Sequence, residues 1–582
     1  MQLYTIGDMK RTVVIFWSVV VLFLLALYGY IYVHLENDLK TIFDEGIFFL
    51  DLKFGSSFVV QAPSLSLCGA VEKAFFPCIE DLDVLDLRRL AFGVKGIGMT
   101  FLLISSCFFL YKDRKEKQLS SYLVIVACIL LMGLFVMPSV VISANDMALF
   151  FEMTALSFCL LVVSISKKAW ECVCLGLTGL SCFFAMLVMP PGGVMIGVQC
   201  FLFLILYGGF DKKKMLKVFL GMLSGVAIGV VIMHLFIISL PETAAFLKQA
   251  MDSTTDESNP SHHSLTKLAV QFLLNVRNLI MTLTILCGVA FVSDLVYRKC
   301  DRIWLAALVG FVLFVILYKW QVKPGIGFAS IVSWLLLMNL LLLTKDKKNV
   351  VNWNDLILVM FLWLLPFGQS LGSNLGFLYK STVFIMPWGV LLFFMYYLTK
   401  QTNQPFAKGI LAFVFTLVLF NNIRGMARQD NSDTVAFAKE YPIARMQLNK
   451  DQYSFYEEVY GIMEDYDYRS KMDTVLAFCF NEMTVVAIDA IPYTSDQLPN
   501  EFLLHDKNKL VRPTFMILSD WDLDVLESLF GELGWDYPNA YDRYELIHNP
   551  DPNSGYNMTQ STLFCLKDRR SVLNESTVDF YQ

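Results

Sequence analysis

The chain has 582 residues, 56% of them apolar and only 17% charged, with a mean hydropathy of +0.56. Soluble proteins carry roughly 25% charged residues, so much of this chain has a solvent other than water. A net charge of -6 and a pI near 5.6 argue against the basic face that a nucleic-acid partner favours, and no nucleic acid is expected.

The apolar residues come in blocks of about 17–25, the length that crosses a bilayer core. The first block, Thr12–Val33, is too long for a signal peptide's apolar region and lacks a small-residue cleavage site, so it reads as a span. Further spans are predicted at 91–111, 120–137, 147–166, 170–189, 194–209, 215–240, 269–292, 303–318, 325–343, 355–371, 381–399 and 409–424, about thirteen in all. The loops between them alternate in charge. Lys112, Arg114, Lys115 and Lys117, then Lys167 and Lys168, Lys212–Lys214, Arg298 with Lys299, and Lys345–Lys348 mark one face. The other face is poorer in Lys and Arg and carries the long loops 34–90 and 241–268. Positive loops stay inside, so the N-terminus is expected in the cytoplasm and everything after residue 424 outside a bacterial inner membrane.

The remainder, 425–582, reads as an outer soluble α/β domain, and 1–424 as the membrane domain. Strand-like runs Thr474–Phe480, Thr484–Ile488 and Thr514–Leu518 alternate there with amphipathic stretches Asp451–Met463 and Leu523–Leu533. Most of the 13 cysteines sit in apolar blocks and read as small buried hydrophobes. Cys68 and Cys78 lie in the first outer loop, where a disulfide is expected. Cys479 and Cys565 read as buried thiols of the outer domain.

Acidic residues on the outer side carry the sharpest signal. Asp44 and Glu45 follow the first span and precede an apolar stretch suited to the interface, although a solvated turn would look the same. Asp146 opens the fourth span and Glu152 lies inside it, where a carboxylate is costly and marks either a functional site or an interhelical hydrogen bond. Two such carboxylates suit a general base with its orienting partner, or a shared divalent metal between Asp44 and Asp146. Arg88, Arg89, Lys323 and Lys380 supply cations for a lipid-borne phosphate, with snorkelling anchors as the bland alternative. Asn374, in the Gly-rich loop 366–376, suits close approach of a ligand.

With these pieces in place the chain resembles the GT-C superfamily of membrane glycosyltransferases, nearest to the protein O-mannosyltransferase and aminoarabinose (lipid A) transferase branch. The resemblance rests on Asp44-Glu45 after the first span and the long outer loop closing on Arg88-Arg89. It rests further on Asn145-Asp146 opening the fourth span, and on about 13 spans followed by an outer domain. It implies a donor sugar on a polyprenyl-phosphate carrier, an acceptor hydroxyl on lipid, glycan or protein, and an inverting transfer with Asp44 as base. Relatives often carry a Lys near the outer end of the fifth span; here Met189-Pro190-Pro191-Gly192-Gly193 stands instead. An oligosaccharyltransferase or glycan ligase shares this topology. A secondary transporter or flippase is the competing class, but paired Gly/Pro-broken spans are not evident.

Overall fold

The computed structural model describes residues 6–36, 49–50, 52–53, 67–137, 142–244, 351–371, 381–400, 434–436, 446–470, 472–478, 482–494, 502, 510–536, 539–547 and 560–568, with single helical positions between 270 and 312 and between 411 and 419. Its membrane part is helical: α1 (Ile6–Val33), α2 (Cys68–Phe75), α3 (Val84–Lys112), α4 (Leu119–Val136), α5 (Ala144–Ser164), α6 (Lys168–Val188), α7 (Pro190–Leu206), α8 (Lys212–Ile232), α9 (Trp353–Gln369) and α10 (Pro387–Lys400). Among the described residues five helices are long and apolar enough to cross a membrane: α1, α3, α5, α6, and α8 with its π-helical extension to Ile237. Shorter apolar helices lie at Leu119–Leu134, Pro190–Leu206 and Trp353–Gln369. The predicted spans at 269–292, 303–318, 325–343 and 409–424 lie mainly outside the described residues, so thirteen remains an expectation.

Helix ends are set by local chemistry. Asp83 caps α3 by accepting the Asp86 N–H at 2.8 Å, which starts this helix at Val84 rather than at the predicted 91. Reciprocal capping boxes start α5 (Ser143 with Asp146) and α9 (Asn352 with Asp355). Between α6 and α7 there is almost no loop: Met189 ends one helix and precedes the other. Helices α6 and α8 meet through glycines. A Cβ on Gly225 would fall 1.8 Å from the Gly176 carbonyl, and one on Gly179 2.0 Å from the Met222 carbonyl. Helices approaching this closely gain contacts that lipid cannot replace.

The expected cytoplasmic ends are bound by a second device. Arg114, just past α3, forms ion pairs with Asp113 at 3.1 Å and with Asp355 of α9. Tyr207, past α7, donates to Asp113 at 2.7 Å, and the guanidinium covers the rings of Phe109 and Phe394. Four helices are tied at one partly buried cation.

The C-terminal part contains a five-stranded mixed sheet of order β4-β3-β5-β7-β6. Its strands are β3 (Thr474–Ala477), β4 (Ile491–Pro492), β5 (Phe515–Ser519), β6 (Tyr541–Ile547) and β7 (Gln560–Leu566). A separate antiparallel pair joins β1 (Thr434–Ala436) and β2 (Gln447–Asn449). Strands β4, β3 and β5 are parallel, and β7 runs antiparallel to β5 and β6. The amphipathic stretches form α11 (Lys450–Glu464) and α13 (Asp520–Glu532) as predicted. Thr484–Ile488 is corrected: Glu482–Ala487 is helix α12, not a strand. Parallel strands need a crossover between them, and this segment supplies it for β3 and β4, overriding its β-branched composition. All five residues of β5 are buried, as a central strand requires.

Candidate functional site

The site builds up at the face expected to be outer, where α1 ends and α3 and α5 begin. The main feature is Lys95, about three turns into α3 and only 2% exposed. Its ammonium lies 3.1 Å from Asp146 Oδ1 and donates to the Val136 carbonyl at 2.8 Å. Asp146 is itself 7% exposed, and its second oxygen accepts the Ser143 N–H at 3.1 Å and hydroxyl at 3.0 Å. One cation thus joins α3 to the carboxyl end of α4 and the amino end of α5. The helix dipoles reinforce this, since a carboxylate is favoured at a helix start and an ammonium at a helix end.

Glu152 lies about 9 Å further along α5. It is fully buried, and among the described residues neither carboxyl oxygen has a hydrogen-bond partner. The interhelical hydrogen bond weighed for Glu152 is not present among the described residues.

Arg88 and Arg89 part company. Arg89 is on the outside of α3 in an exposed ion pair with Asp86 at 3.4 Å. Arg88 is 2% exposed and donates to the Leu35 carbonyl at 2.8 Å, pinning the end of the first helical segment to the start of α3. Both belong to the first turns of a helix rather than to the loop's end, because Asp83 caps α3 so early. Helix α2 lies across α5 and α6: Phe75 packs edge-on against Phe151 and Phe184, and the Leu67 N–H bonds the Leu187 carbonyl at 2.9 Å. Asp44, Glu45, Lys323, Asn374 and Lys380 lie outside the described residues.

The expected Cys68–Cys78 bridge is not formed. Cys68 is buried at the first position of α2, whereas Cys78 is exposed beyond its end.

The described residues do not fit a divalent metal at Asp146. No cluster of three or more His, Cys, Asp or Glu suited to a metal occurs among them. Moreover an ammonium and two hydrogen bonds already engage both Asp146 oxygens. The second expected ligand, Asp44, lies outside the described residues.

Two residues of this face escaped the sequence reading. Lys95 had a signal, a lone cation inside an otherwise apolar span. Gln369, fully buried at the outer end of α9, had none beyond being polar in an apolar stretch.

No protein-family model and no curated protein sequence matches the chain. Among solved structures, the oligosaccharyltransferase AglB from Archaeoglobus fulgidus, in complex with an inhibitory peptide and a dolichol-phosphate, matches at 12% identity. The match covers 90% of this chain and 72% of that one, with a TM-score of 0.43. An oligosaccharyltransferase from Archaeoglobus fulgidus in complex with Zn and sulfate matches over 85% of this chain and 67% of that one, with 12% identity and a TM-score of 0.41. ArnT from Cupriavidus metallidurans bound to undecaprenyl phosphate matches at 11% identity over 94% of this chain and 97% of that one, with a TM-score of 0.37. Likenesses with TM-scores under 0.5 assign no activity, and the chemistry has to come from the residues themselves.

Proposed function

We propose that the chain transfers a sugar from a polyprenyl-phosphate carrier to an acceptor hydroxyl of a lipid, glycan or protein at the outer face of a bacterial inner membrane. The N-terminus lies inside and the sheet-bearing C-terminal domain in the periplasm. The observation that carries this reading is the Lys95–Asp146 pair, with Glu152 below it. Ionised groups in a bilayer are expensive and are kept where they serve a ligand path. Here they gather at the end of the bundle where the first helical segment ends at Glu36, some residues before the Asp44-Glu45 pair on which the sequence resemblance rests.

In this mechanism Asp44 takes the proton of the acceptor hydroxyl while that oxygen attacks the anomeric carbon opposite the phosphate. The carrier phosphate departs with the bonding electrons, and the anomeric centre inverts. Cations stabilise the leaving phosphate, the role left to Lys323 and Lys380. Arg88 is then a positioning residue: by holding Leu35 it fixes the point from which the chain runs on to Asp44. Lys95 and Asp146 brace the helix ends beneath the acceptor, with Glu45 beside the base.

The test is Asp44→Asn in the purified full-length protein, assayed with sugar-loaded polyprenyl phosphate and a cell-envelope acceptor. Transfer should fall by about 10²–10⁴-fold with carrier binding retained. Near-normal transfer by this variant overturns the reading.

A further inference from the structure

We propose that the open edge of β6 pairs with β6 of a second copy of this chain, joining the two five-stranded sheets across a twofold axis at Tyr544. Strand β6 ends the order β4-β3-β5-β7-β6, and among the described residues β7 is the one strand bonded to it. The two edges of the sheet differ. Strand β4 is two residues long and includes Pro492, which has no N–H, so it offers little to pair with. Strand β6 runs for seven residues without proline or glycine, and two tyrosines, a leucine and an isoleucine suit it to a sheet. An edge of that length is a template for another strand.

The pairing with β7 fixes which backbone groups face outward. Tyr541 stands opposite Leu566, and in the next pair along the Lys567 N–H donates to the Ala540 carbonyl at 3.0 Å. Antiparallel ladders alternate between bonded and non-bonded pairs, so Asp542, Tyr544 and Leu546 bond β7. The N–H and C=O groups of Tyr541, Arg543, Glu545 and Ile547 then point away from the sheet. Among the described residues no backbone bond takes them up.

One antiparallel register uses all of these groups. Centred on Tyr544, it sets Tyr541 opposite the partner's Ile547 and Arg543 opposite the partner's Glu545, each a hydrogen-bonded pair repeated by symmetry. The charges agree with it. Arg543 and Glu545 are both exposed and lie on one face of the sheet, with Arg543 held at the edge by the Phe564 ring, 5.3 Å from its guanidinium. Registers centred on Arg543 or Glu545 set like charges opposite each other and leave some outward groups unpaired. Charges on an edge usually deter pairing, but opposite signs two residues apart select the register centred between them. At the axis the two Tyr544 rings become a close cross-strand aromatic pair. An unrelated strand would need the same charges in reverse order, which a second copy supplies by symmetry.

The experiment measures the mass of the full-length protein in detergent by light scattering across a concentration series. The native protein should form a dimer. Arg543→Glu faces the partner's Glu545 with a like charge, as Glu545→Arg does the partner's Arg543. Each should raise the dissociation constant of the dimer on the order of tenfold to a hundredfold. Arg543→Glu combined with Glu545→Arg in one chain restores opposite charges and should restore the native constant. Independently of charge, Tyr544→Cys puts one thiol from each copy at the axis with Cα atoms about 4.5 Å apart. Mild oxidation should then give a disulfide-linked dimer that the native cysteines do not. A native protein that stays monomeric, leaving the edge to some other partner, overturns the inference. So does a dimer that neither single reversal weakens, or a Tyr544→Cys protein that does not cross-link.

Discussion

Neutralising either member of the Lys95–Asp146 pair should destabilise the membrane domain far more than neutralising both. At 3.1 Å the direct attraction is about 5 kcal/mol for an effective dielectric of roughly 20, before desolvation is subtracted. Lys95 is 2% exposed, so solvent cannot rescue a widowed charge. Removing one partner of a buried pair typically costs about 3–5 kcal/mol, whereas exchanging both for apolar or neutral groups is often close to neutral. Lys95→Met leaves the Asp146 carboxylate buried beside the α5 cap, and Asp146→Asn leaves an ammonium bonded only to the Val136 carbonyl among the contacts described. The double variant keeps an oxygen to accept from Ser143 and removes both charges. Reversible unfolding in mixed micelles, titrated with a denaturing detergent, gives the four stabilities of a double-mutant cycle. The expected coupling is about 3 kcal/mol or more. Single variants costing under about 1 kcal/mol and adding within about 0.5 kcal/mol would show that the two groups do not share a buried site.

Three further outcomes follow from the packing. Cys78 is exposed and Cys565 is buried with its thiol pushed up to about 12, chiefly by desolvation. A membrane-impermeant maleimide should therefore label Cys78 in intact spheroplasts and spare Cys565 until the protein is unfolded; an unlabelled Cys78 would contradict either its exposure or the outward orientation of loop 34–90. Gly225→Leu should push α8 off α6 and abolish the folded state in detergent, since even a Cβ there overlaps the Gly176 carbonyl; a stable variant seen by size exclusion and thermal unfolding would refute the glycine seam. Arg114→Gln should destabilise by leaving the buried Asp355 without its partly buried cation, by up to about 3 kcal/mol, and Asp355→Asn made in the same protein should recover part of that loss.

What the sequence made legible divides by physics. Block length and loop charge are properties of the chain in a bilayer, and α1, α5 and α6 fall on their predicted spans. The carboxylates Asp146 and Glu152 announced themselves by their cost in an apolar setting. Lys95 carried the same kind of signal, a lone cation near the start of an apolar block, but that signal names no partner. Its partners also come from two other helices, and no spacing along α3 reveals them. Arg88 looked like a loop cation until the Asp83 cap put it inside a helix, against Leu35 far back in the chain. Thr484–Ile488 misled because β-branched composition is a local trait, whereas its crossover role is set by the order of strands around it.

The junction at Met189 bears on how the chain enters its membrane. Helix α7 has 17 residues, about 25 Å of helix, at the short end of what crosses a bilayer core of about 30 Å. With a single residue separating it from α6, there is no hydrophilic segment for a translocation channel to thread between them. The two helices are therefore expected to enter lipid together as one hairpin. A spacer placed after Met189 should uncouple them and leave α7 stranded in water during synthesis.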